Sequence, residues 1–404
     1  MRILVLNCGS SSIKSAVVDS VRQRRLFAVQ VEDIGKASCR LRADEAIVEL
    51  GAQATFASAI RALLAQVRER IDQARGVEAV AHRVVHGGAQ FVQPTLIDEQ
   101  SLRAIDALSV LAPLHNPPAV AAIRVALESL AELPHVAVFD TAFHATLPEP
   151  AREYALPRKL VASHGIRRYG FHGASHAHVA MAVAAHLQVE PRELRIISCH
   201  LGNGASVAAI EQGRSVETSM GMTPMEGLVM GTRAGDVDAG VLLHLLQSVG
   251  LDVAELDQLL NAQSGLTGLT GTNDMREIER RAAGGDESSN LAIAVYSHRV
   301  RKYIGAYAAV MGGVDVIAFT GGVGENSALI RQRCAQRLEF LGAVLDEAAN
   351  RDAKLTPDKG IAMISQPRSR TRLAAVRADE ELTIARETAA YLGSGGQAAA
   401  HPPA

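Results

Sequence analysis

Three short loops constrain this chain more than anything else in it. Each is built of glycine and small polar residues and follows directly on an apolar run: 7–14 (NCGSSSIK) after RILVL, 200–206 (HLGNGAS) after LRIISC, and 320–326 (TGGVGEN) after VDVIAF. Glycine and small side chains let backbone N–H groups come close to an anion, so loops of this kind hold phosphate without a large basic patch. An ordinary tight turn explains any one of them, but three at strand ends, with Asn, Ser and Lys among them, point to anion binding. None has the spacing G-x-x-x-x-G-K-[ST] or G-x-G-x-x-G, which argues against a Walker-type NTPase and a Rossmann dehydrogenase.

The same loops organise the chain. Residues 2–6 and 15–19 predict two short strands around the first loop, and 194–201 and 205–210 predict the same unit around Gly202, Asn203 and Gly204, with a second turn at 211–214. Further strands are expected at 78–85, 135–141 and 314–320, and helices near 57–72, 117–130, 173–187, 237–249, 287–311 and 325–341. That alternation indicates an α/β chain, and the repeated opening indicates two similar domains. The chain has 404 residues. A single core stops growing at roughly 250–300 residues, so two domains with a cleft between them are expected. The expected division is 1–145 plus 382–393 for the first domain, 146–381 for the second, and 394–404 as a frayed tail.

Composition narrows the function. With 48% hydrophobic and 21% charged residues the chain suits a soluble globular protein. A net charge of -2, with Lys and Arg spread along the sequence, leaves no nucleic-acid footprint. Cys8, Cys39, Cys199 and Cys334 form no Cys-x-x-Cys pair, which suits reduced thiols rather than a disulfide framework or zinc ribbon. The opening MRILVLNCGSSS has too short an apolar run for a signal peptide, and the apolar stretch ending at Phe319 is broken by Gly312, Gly313 and Asp315. A cytoplasmic protein without a membrane span is expected.

A second set of segments places Arg, His and Asp among Gly and Pro: HRVVHGG (82–88), LHNPP (114–118), FDTAFH (139–144), GFHGASH (170–176) and GTRAGD (231–236). An arginine in such a turn can hold a carboxylate or phosphate through its planar fork of donors. His172, His176 and His178 have spacings that could share a helix face. No Cys or acidic partner stands at ligand spacing, however, and Gly173 falls where that helix would begin, so a transition-metal site is not favoured.

These segments, in this order and together with MTPMEGLVMGTRAGD, NDMRE and FTGGVGEN, resemble the acetate kinase family over nearly the whole chain; NCGSSSIK and HLGNGAS match its two signatures. The resemblance implies two related actin-like (ribonuclease H-like) domains with a nucleotide cleft between them. It implies reversible, direct in-line transfer of the ATP γ-phosphoryl group to acetate, giving acetyl phosphate and ADP. A propionate or butyrate kinase of the same family is the alternative. It further implies Mg²⁺, with Mn²⁺ as a substitute, and a homodimer.

Carried over residue by residue, the resemblance makes Asn7 and Glu380 metal residues and puts Lys14 near the nucleotide phosphates. Arg83 and Arg233 would flank the carboxylate and the transferring phosphoryl group. His172 would donate to that group, with His115 nearby and Asp140 at the acid/base position. His200, Leu201, Gly202, Asn203 and Gly204 would hold phosphate oxygens. Asp274, Met275 and Arg276, with Gly322, Val323, Gly324, Glu325 and Asn326, would hold the adenosine side. Val85, Leu114, Phe171 and Pro224 would form the apolar pocket for the substrate methyl group. Where the family commonly reads Thr-Asn-Glu-Glu-Leu this chain has ADEEL, which leaves the choice among Asp379, Glu380 and Glu381 open around Glu380. The alanine of GTRAGD replaces a usual serine, a small-for-small change. A carboxylate nucleophile with a pKa of about 4.3 is already ionised at neutral pH, so Asp140 is expected to orient a partner rather than remove a proton.

Overall fold

The computed structural model describes residues 1–9, 12–43, 46–73, 76–113 and 115–396, the side chains of 71–73 excepted. Leu114, expected in the pocket, and the expected tail from residue 397 onward lie outside the described residues. The chain divides into two compact units: Met1–Ala142 together with the stretch from Asp379, and Phe143–Ala378.

The first unit is built on a mixed sheet of β1 (Arg2–Cys8), β2 (Ile13–Asp19), β3 (Arg24–Glu32), β4 (Arg40–Ala43), β5 (Ala46–Glu49), β6 (Ala79–Val84), β7 (Thr95–Leu96) and β8 (His135–Phe139). Its strand order is β5-β4-β3-β2-β1-β6-β8-β7. β1 is nearly all apolar because it is buried on both faces. It runs antiparallel to β2 and parallel to β6, which is parallel to β8. The helices Phe56–Gln73 and Asn116–Ser129 bury Ile60, Leu63, Leu64 and Val67 with Ala122, Val125 and Ala126 against Leu4, Leu6 and Val80. That spacing is one stripe of a helix, and each fully buried aliphatic side chain contributes about 1.5–3 kcal/mol. The helix Glu380–Gly393 packs against β1, β2, β6 and β8.

The second unit repeats the plan with β9 (Arg195–Leu201), β10 (Ala205–Glu211), β11 (Arg214–Thr218), β12 (Val316–Thr320), β13 (Ile361–Met363) and β14 (Arg372–Val376), in the order β11-β10-β9-β12-β14-β13. Here β9 pairs antiparallel with β10 and parallel with β12, and β12 is parallel to β14. The order β3-β2-β1-β6-β8-β7 in one unit therefore matches β11-β10-β9-β12-β14-β13 in the other. The helix Gly173–Leu187 packs on β9, β13 and β14, and the helix Glu287–Val310 on β9 and β10.

Several elements depart from the sequence reading. β3, β4 and β5 were not expected, because RRLFAVQVE, RLRA and AIVE carry charges and are only partly buried or, in the edge strand β5, exposed throughout. The helix expected over 325–341 is two helices, Gly321–Asn326 and Ala328–Ala335, broken where Ser327 turns extended and accepts the Ile330 N–H as an N-cap. The third glycine loop is thus itself a helical turn. The helix expected over 237–249 begins at Ala239 and continues through Leu245–Val249 as a wider turn. All four cysteines are buried and free. Among the described residues no helix is long and apolar enough to cross a membrane.

Candidate active site

The register of the first sheet assembles one cluster. Asn7 lies opposite Lys14 on β2 and opposite Arg83 on β6. Val84 lies opposite Phe139, the residue before Asp140, so Asn7, Arg83 and Asp140 share the carboxyl edge of three parallel strands. Ligands of open α/β sheets bind at that edge. Arg83 Nε and Nη2 donate to Asp140 Oδ1 and Oδ2 at 2.9 and 2.5 Å, and Nη1 donates to Asn7 Oδ1 at 2.9 Å. Glu380, at the start of its helix, comes within 3.7 Å of Arg83 Nε. Burial opposes the Arg83 charge, yet Asp140 and then Glu380 outweigh it and push the guanidinium pKa up. Lys14 is exposed on β2.

The neighbours of Glu380 are otherwise engaged. Arg25 lies 3.1 Å from Glu381 and 3.7 Å from Asp379, and Asp379 also caps the helix by accepting the Leu382 N–H. Loop closure in this unit rests on Asn116, which the sequence reading passed over. Its side chain accepts the His86 N–H at 3.1 Å and donates to the His86 carbonyl at 3.0 Å, tying the segment after Arg83 to the helix that His115 precedes. Val85 is buried in that segment, and Gly87 donates its N–H to Thr141, next to Asp140.

The second unit brings His172 and Arg233 together at Gly204. His172 takes a φ of 58°, a left-handed conformation uncommon outside glycine, just before the helix Gly173–Leu187. Its Nδ1 hydrogen-bonds Ser206 Oγ at 2.9 Å and its ring stacks on His200 at 4.2 Å between centroids. A Cβ placed on Gly204 would stand 3.4 Å from His172 Nε2 and 3.7 Å from Arg233 Nη1. The imidazole and the guanidinium therefore both stand against Gly204, which has no side chain to come between them. Arg233 donates to the Pro224 carbonyl at 3.2 Å, and burial lowers its pKa. Phe171 is buried, its carbonyl held by His144 Nε2 at 3.0 Å, and burial brings the His144 pKa down to about 4.

His200 and His176 are tied into a network of serine hydroxyls. His200 Nδ1 meets Ser175 Oγ at 2.7 Å, and His176 is held by Ser198 and Ser206 at 2.8 Å each. Burial, then His144 and His200, keep His176 well below its ordinary pKa and hence neutral. Asn203 is exposed between Gly202 and Gly204 after buried Leu201; its carbonyl accepts the Gly231 N–H at 2.8 Å and its side chain accepts from Asn273 at 3.0 Å. Asp274 caps the helix Met275–Ala283 and pairs with exposed Arg276 at 2.8 Å, while Met275 is buried. Gly322 faces open space, Asn326 donates to its carbonyl at 2.8 Å, and Gly324 is buried. Glu325, beside Val323 in the same helical turn, accepts the Ala378 N–H at 2.9 Å. Ser206 and Asn273 lie inside segments singled out in the sequence, but nothing in one sequence says which histidine or loop they hold.

Two like-built α/β units, each with polar groups gathered at the carboxyl edge of its parallel strands around glycine turns, define a phosphotransferase of the actin-like class. The comparisons with known proteins narrow that class. The acetokinase family profile matches residues 2–386. The acetate kinase of Streptomyces coelicolor is 47% identical over 402 residues, covering 98% of each chain. That of Streptomyces avermitilis is 46% identical over 400 residues, covering 97% of this chain and 98% of the relative. A solved structure of a propionate kinase from Francisella tularensis has a TM-score of 0.89 at 39% identity, covering 96% of this chain and 98% of that one. Porphyromonas gingivalis acetate kinase has a TM-score of 0.89 at 39% identity, covering 97% and 99%. The chain belongs to the acetokinase family.

Proposed function

We propose that this chain transfers the γ-phosphoryl group of ATP reversibly to acetate, giving acetyl phosphate and ADP by direct in-line displacement. The arrangement around Gly204, with His172 Nε2 and Arg233 Nη1 both against a residue of the glycine loop that has no side chain, supports this reading best. Phosphoryl transfer passes through a loose transition state, so the protein chiefly positions reactants and neutralises charge. Two unit charges 4 Å apart repel by about 4 kcal/mol at an effective dielectric near 20, and an anionic acceptor must overcome that repulsion to reach the γ-phosphate. Arg83, Arg233 and His172 are the groups proposed to offset it. Asn203 and its loop, with Lys14, hold phosphate oxygens; Asp274 to Arg276 and Gly322 to Asn326 hold the adenosine side. Val85, His115, Phe171 and Pro224 contact the acetate.

Asn7 and Glu380 offer hard oxygen donors and both touch the Arg83 guanidinium, at 2.9 and 3.7 Å. That donor set fits Mg²⁺, which is held by one or two protein oxygens together with substrate phosphates. When bound, the ion neutralises charge on the phosphate oxygens. Among the described residues no three His, Cys, Asp or Glu gather as a metal set, so an all-protein cage is not proposed. Asp140 acts as an orienting partner of Arg83, because an ionised acetate needs no general base.

The test is to trap the product with hydroxylamine after incubation with Mg-ATP and acetate, propionate or butyrate in turn. The expected result is a hydroxamate formed fastest from acetate. One extra methylene is worth only about 1–3 kcal/mol in an apolar pocket, so propionate is expected to react more slowly rather than not at all. A faster rate with propionate would favour the propionate kinase reading, which the Francisella tularensis structure makes the leading alternative. No hydroxamate from any of the three acids overturns the proposal.

The proposal includes a cytoplasmic homodimer. In the second unit Val237, Val241, Leu243, Val249 and Val253 are all exposed within one short stretch of sequence, and a partner surface is proposed to cover them. Light scattering of the wild type and of Leu243→Glu tests it: a dimer that becomes a monomer is expected, and a wild-type monomer contradicts it.

A further inference from the structure

The segment that holds Arg233 leaves Gly227 and returns at Asp236, and these two residues clasp each other. Gly227 donates its N–H to Asp236 Oδ1 at 2.9 Å, and Asp236 donates its own N–H to the Gly227 carbonyl at 3.0 Å. The helix Glu287–Val310 locks the clasp from outside. Tyr303 donates to the Asp236 carboxylate, 3.0 Å from both oxygens, while Arg299 Nη1 donates to the carbonyls of Gly227 and Asp236 at 3.0 and 3.3 Å and stands 3.3 Å from Asp236 Oδ2. No side chain fits on either glycine of the clasp. Gly227 has a φ of 106° and a Cβ on it would fall 2.5 Å from the Ser219 carbonyl, while one on Gly235 would fall 2.3 Å from that of Leu228.

Inside the closed segment the chain turns back on itself. Met230 donates to the Arg233 carbonyl at 3.1 Å, Gly231 donates to the Asn203 carbonyl at 2.8 Å, and Leu266 and Thr267 donate to Met230 and Gly231 at 2.9 Å each. The base of the loop, its tip and the Gly202–Gly204 turn are thus one hydrogen-bonded frame. Just before the frame, Glu226 is held by Arg168 at 2.7 Å and by the Tyr154 hydroxyl, which fixes the approach from Pro224. The partners of Asp236 are the backbone of the loop and two side chains of one helix, and none of them is a group proposed to touch the reactants.

We infer that Asp236, clamped by Arg299 and Tyr303, is a positioning residue for Arg233: it sets where the guanidinium stands beside Gly204 without meeting substrate. This rests on the reading that Arg233 acts on the transferring phosphoryl group. Asp236→Ala leaves the Gly227 N–H and the Arg299 guanidinium without their carboxylate, so the loop can relax. A misplacement of about 1 Å at a reacting group can cost about a hundredfold in rate.

The experiment is a double-mutant cycle on the full chain, comparing wild type, Asp236→Ala, Arg233→Ala and the double variant by kcat, the KM for ATP and the melting temperature. Asp236→Ala is expected to lower kcat by about thirtyfold or more with the ATP KM within about threefold, and to lower it less than about threefold further once Arg233 is alanine, because the two act as one unit. A kcat loss from Asp236→Ala that persists undiminished in the Arg233→Ala background overturns the inference and leaves the role of Arg233 standing. Normal kcat in Arg233→Ala alone overturns both. If Asp236→Ala does not fold, Tyr303→Phe serves in the same cycle, removing only the hydroxyl contacts. Its expected kcat loss of about twofold to tenfold must likewise vanish without Arg233, and additive losses reject the positioning role.

Discussion

Arg83 and Asp140 face each other fork to fork, Nε to Oδ1 at 2.9 Å and Nη2 to Oδ2 at 2.5 Å, with Asp140 only 2% exposed. A carboxylate spent on both of its oxygens in holding a guanidinium is placed to orient rather than to take a proton. Asp140→Asn retains one acceptor and is expected to lose about 1.5–3 kcal/mol of transition-state stabilisation, roughly tenfold to a hundredfold in kcat/KM, with Asp140→Ala losing more. The pH–rate profiles decide what the residue does: an acid limb at the same pH in wild type and Asp140→Asn is expected. Removal of that limb by the substitution would restore Asp140 as a base.

Ser206 holds His172 Nδ1 at 2.9 Å and His176 Nε2 at 2.8 Å, so a single hydroxyl fixes the ring that faces Gly204. Ser206→Ala is expected to lower kcat by about tenfold with little change in the ATP KM, since orientation and not binding is lost. His172→Ala is expected to cost about 10²–10³ in kcat, the usual loss for a donor to a developing anion. Steady-state kinetics in the acyl-phosphate-forming direction check both; a raised ATP KM at constant kcat would assign these groups to nucleotide binding.

Two glycines of the same loop system should respond differently to alanine. At Gly204 the added methyl meets His172 at 3.4 Å and Arg233 at 3.7 Å, ordinary contact distances, so the fold is expected to keep its melting temperature while the space between the two groups is filled and kcat/KM falls. At Gly231 the methyl would stand 2.0 Å from Asn203 Oδ1, so alanine there is expected to destabilise by about 1–3 kcal/mol as well as to inactivate. Thermal unfolding and activity of the two variants, measured together, separate the effects.

Much of this was readable before any coordinates. The apolar runs on either side of NCGSSSIK and HLGNGAS are strands β1, β2, β9 and β10, because buried central strands carry no competing pattern. The meeting of Asn7 with Arg83 was not readable, since it depends on the parallel register of β1 and β6, a pairing of residues far apart in sequence. Nor could the sequence show that Arg25, on a strand it did not announce, draws Asp379 and Glu381 toward itself while Glu380 lies by Arg83. Ser206 and Asn116 were in view as letters of quoted segments, but their value lies in which histidine or carbonyl each one meets.

Glu387 stands two turns beyond Glu380 on the same helix. Burial, and then the charge of Asp140, push its carboxyl up from the ordinary 4.5 to about 7, with Arg386 opposing. The folded chain therefore keeps a proton that the unfolded chain gives up above pH 4.5. The stability this contributes is full below about pH 4.5 and is lost as the pH rises through about 7. Glu387→Gln is expected to remove that loss, raising the melting temperature relative to wild type at about pH 8 by more than at about pH 4.5, each pKa unit being worth about 1.4 kcal/mol. Thermal melts at the two pH values check it, and an equal offset at both would mean the carboxyl is ionised in the fold.

The charge-neutralising role of the two guanidiniums is tested most directly by the single-turnover rate of acetyl phosphate formation from Mg-ATP and saturating acetate, in wild type, Arg83→Ala and Arg233→Ala. Each variant is expected to fall by about a hundredfold or more while still binding ATP, because each removes a donor that matters most as the two anions meet. A rate within about threefold of wild type in either variant, with the protein folded and the nucleotide bound, would contradict the account.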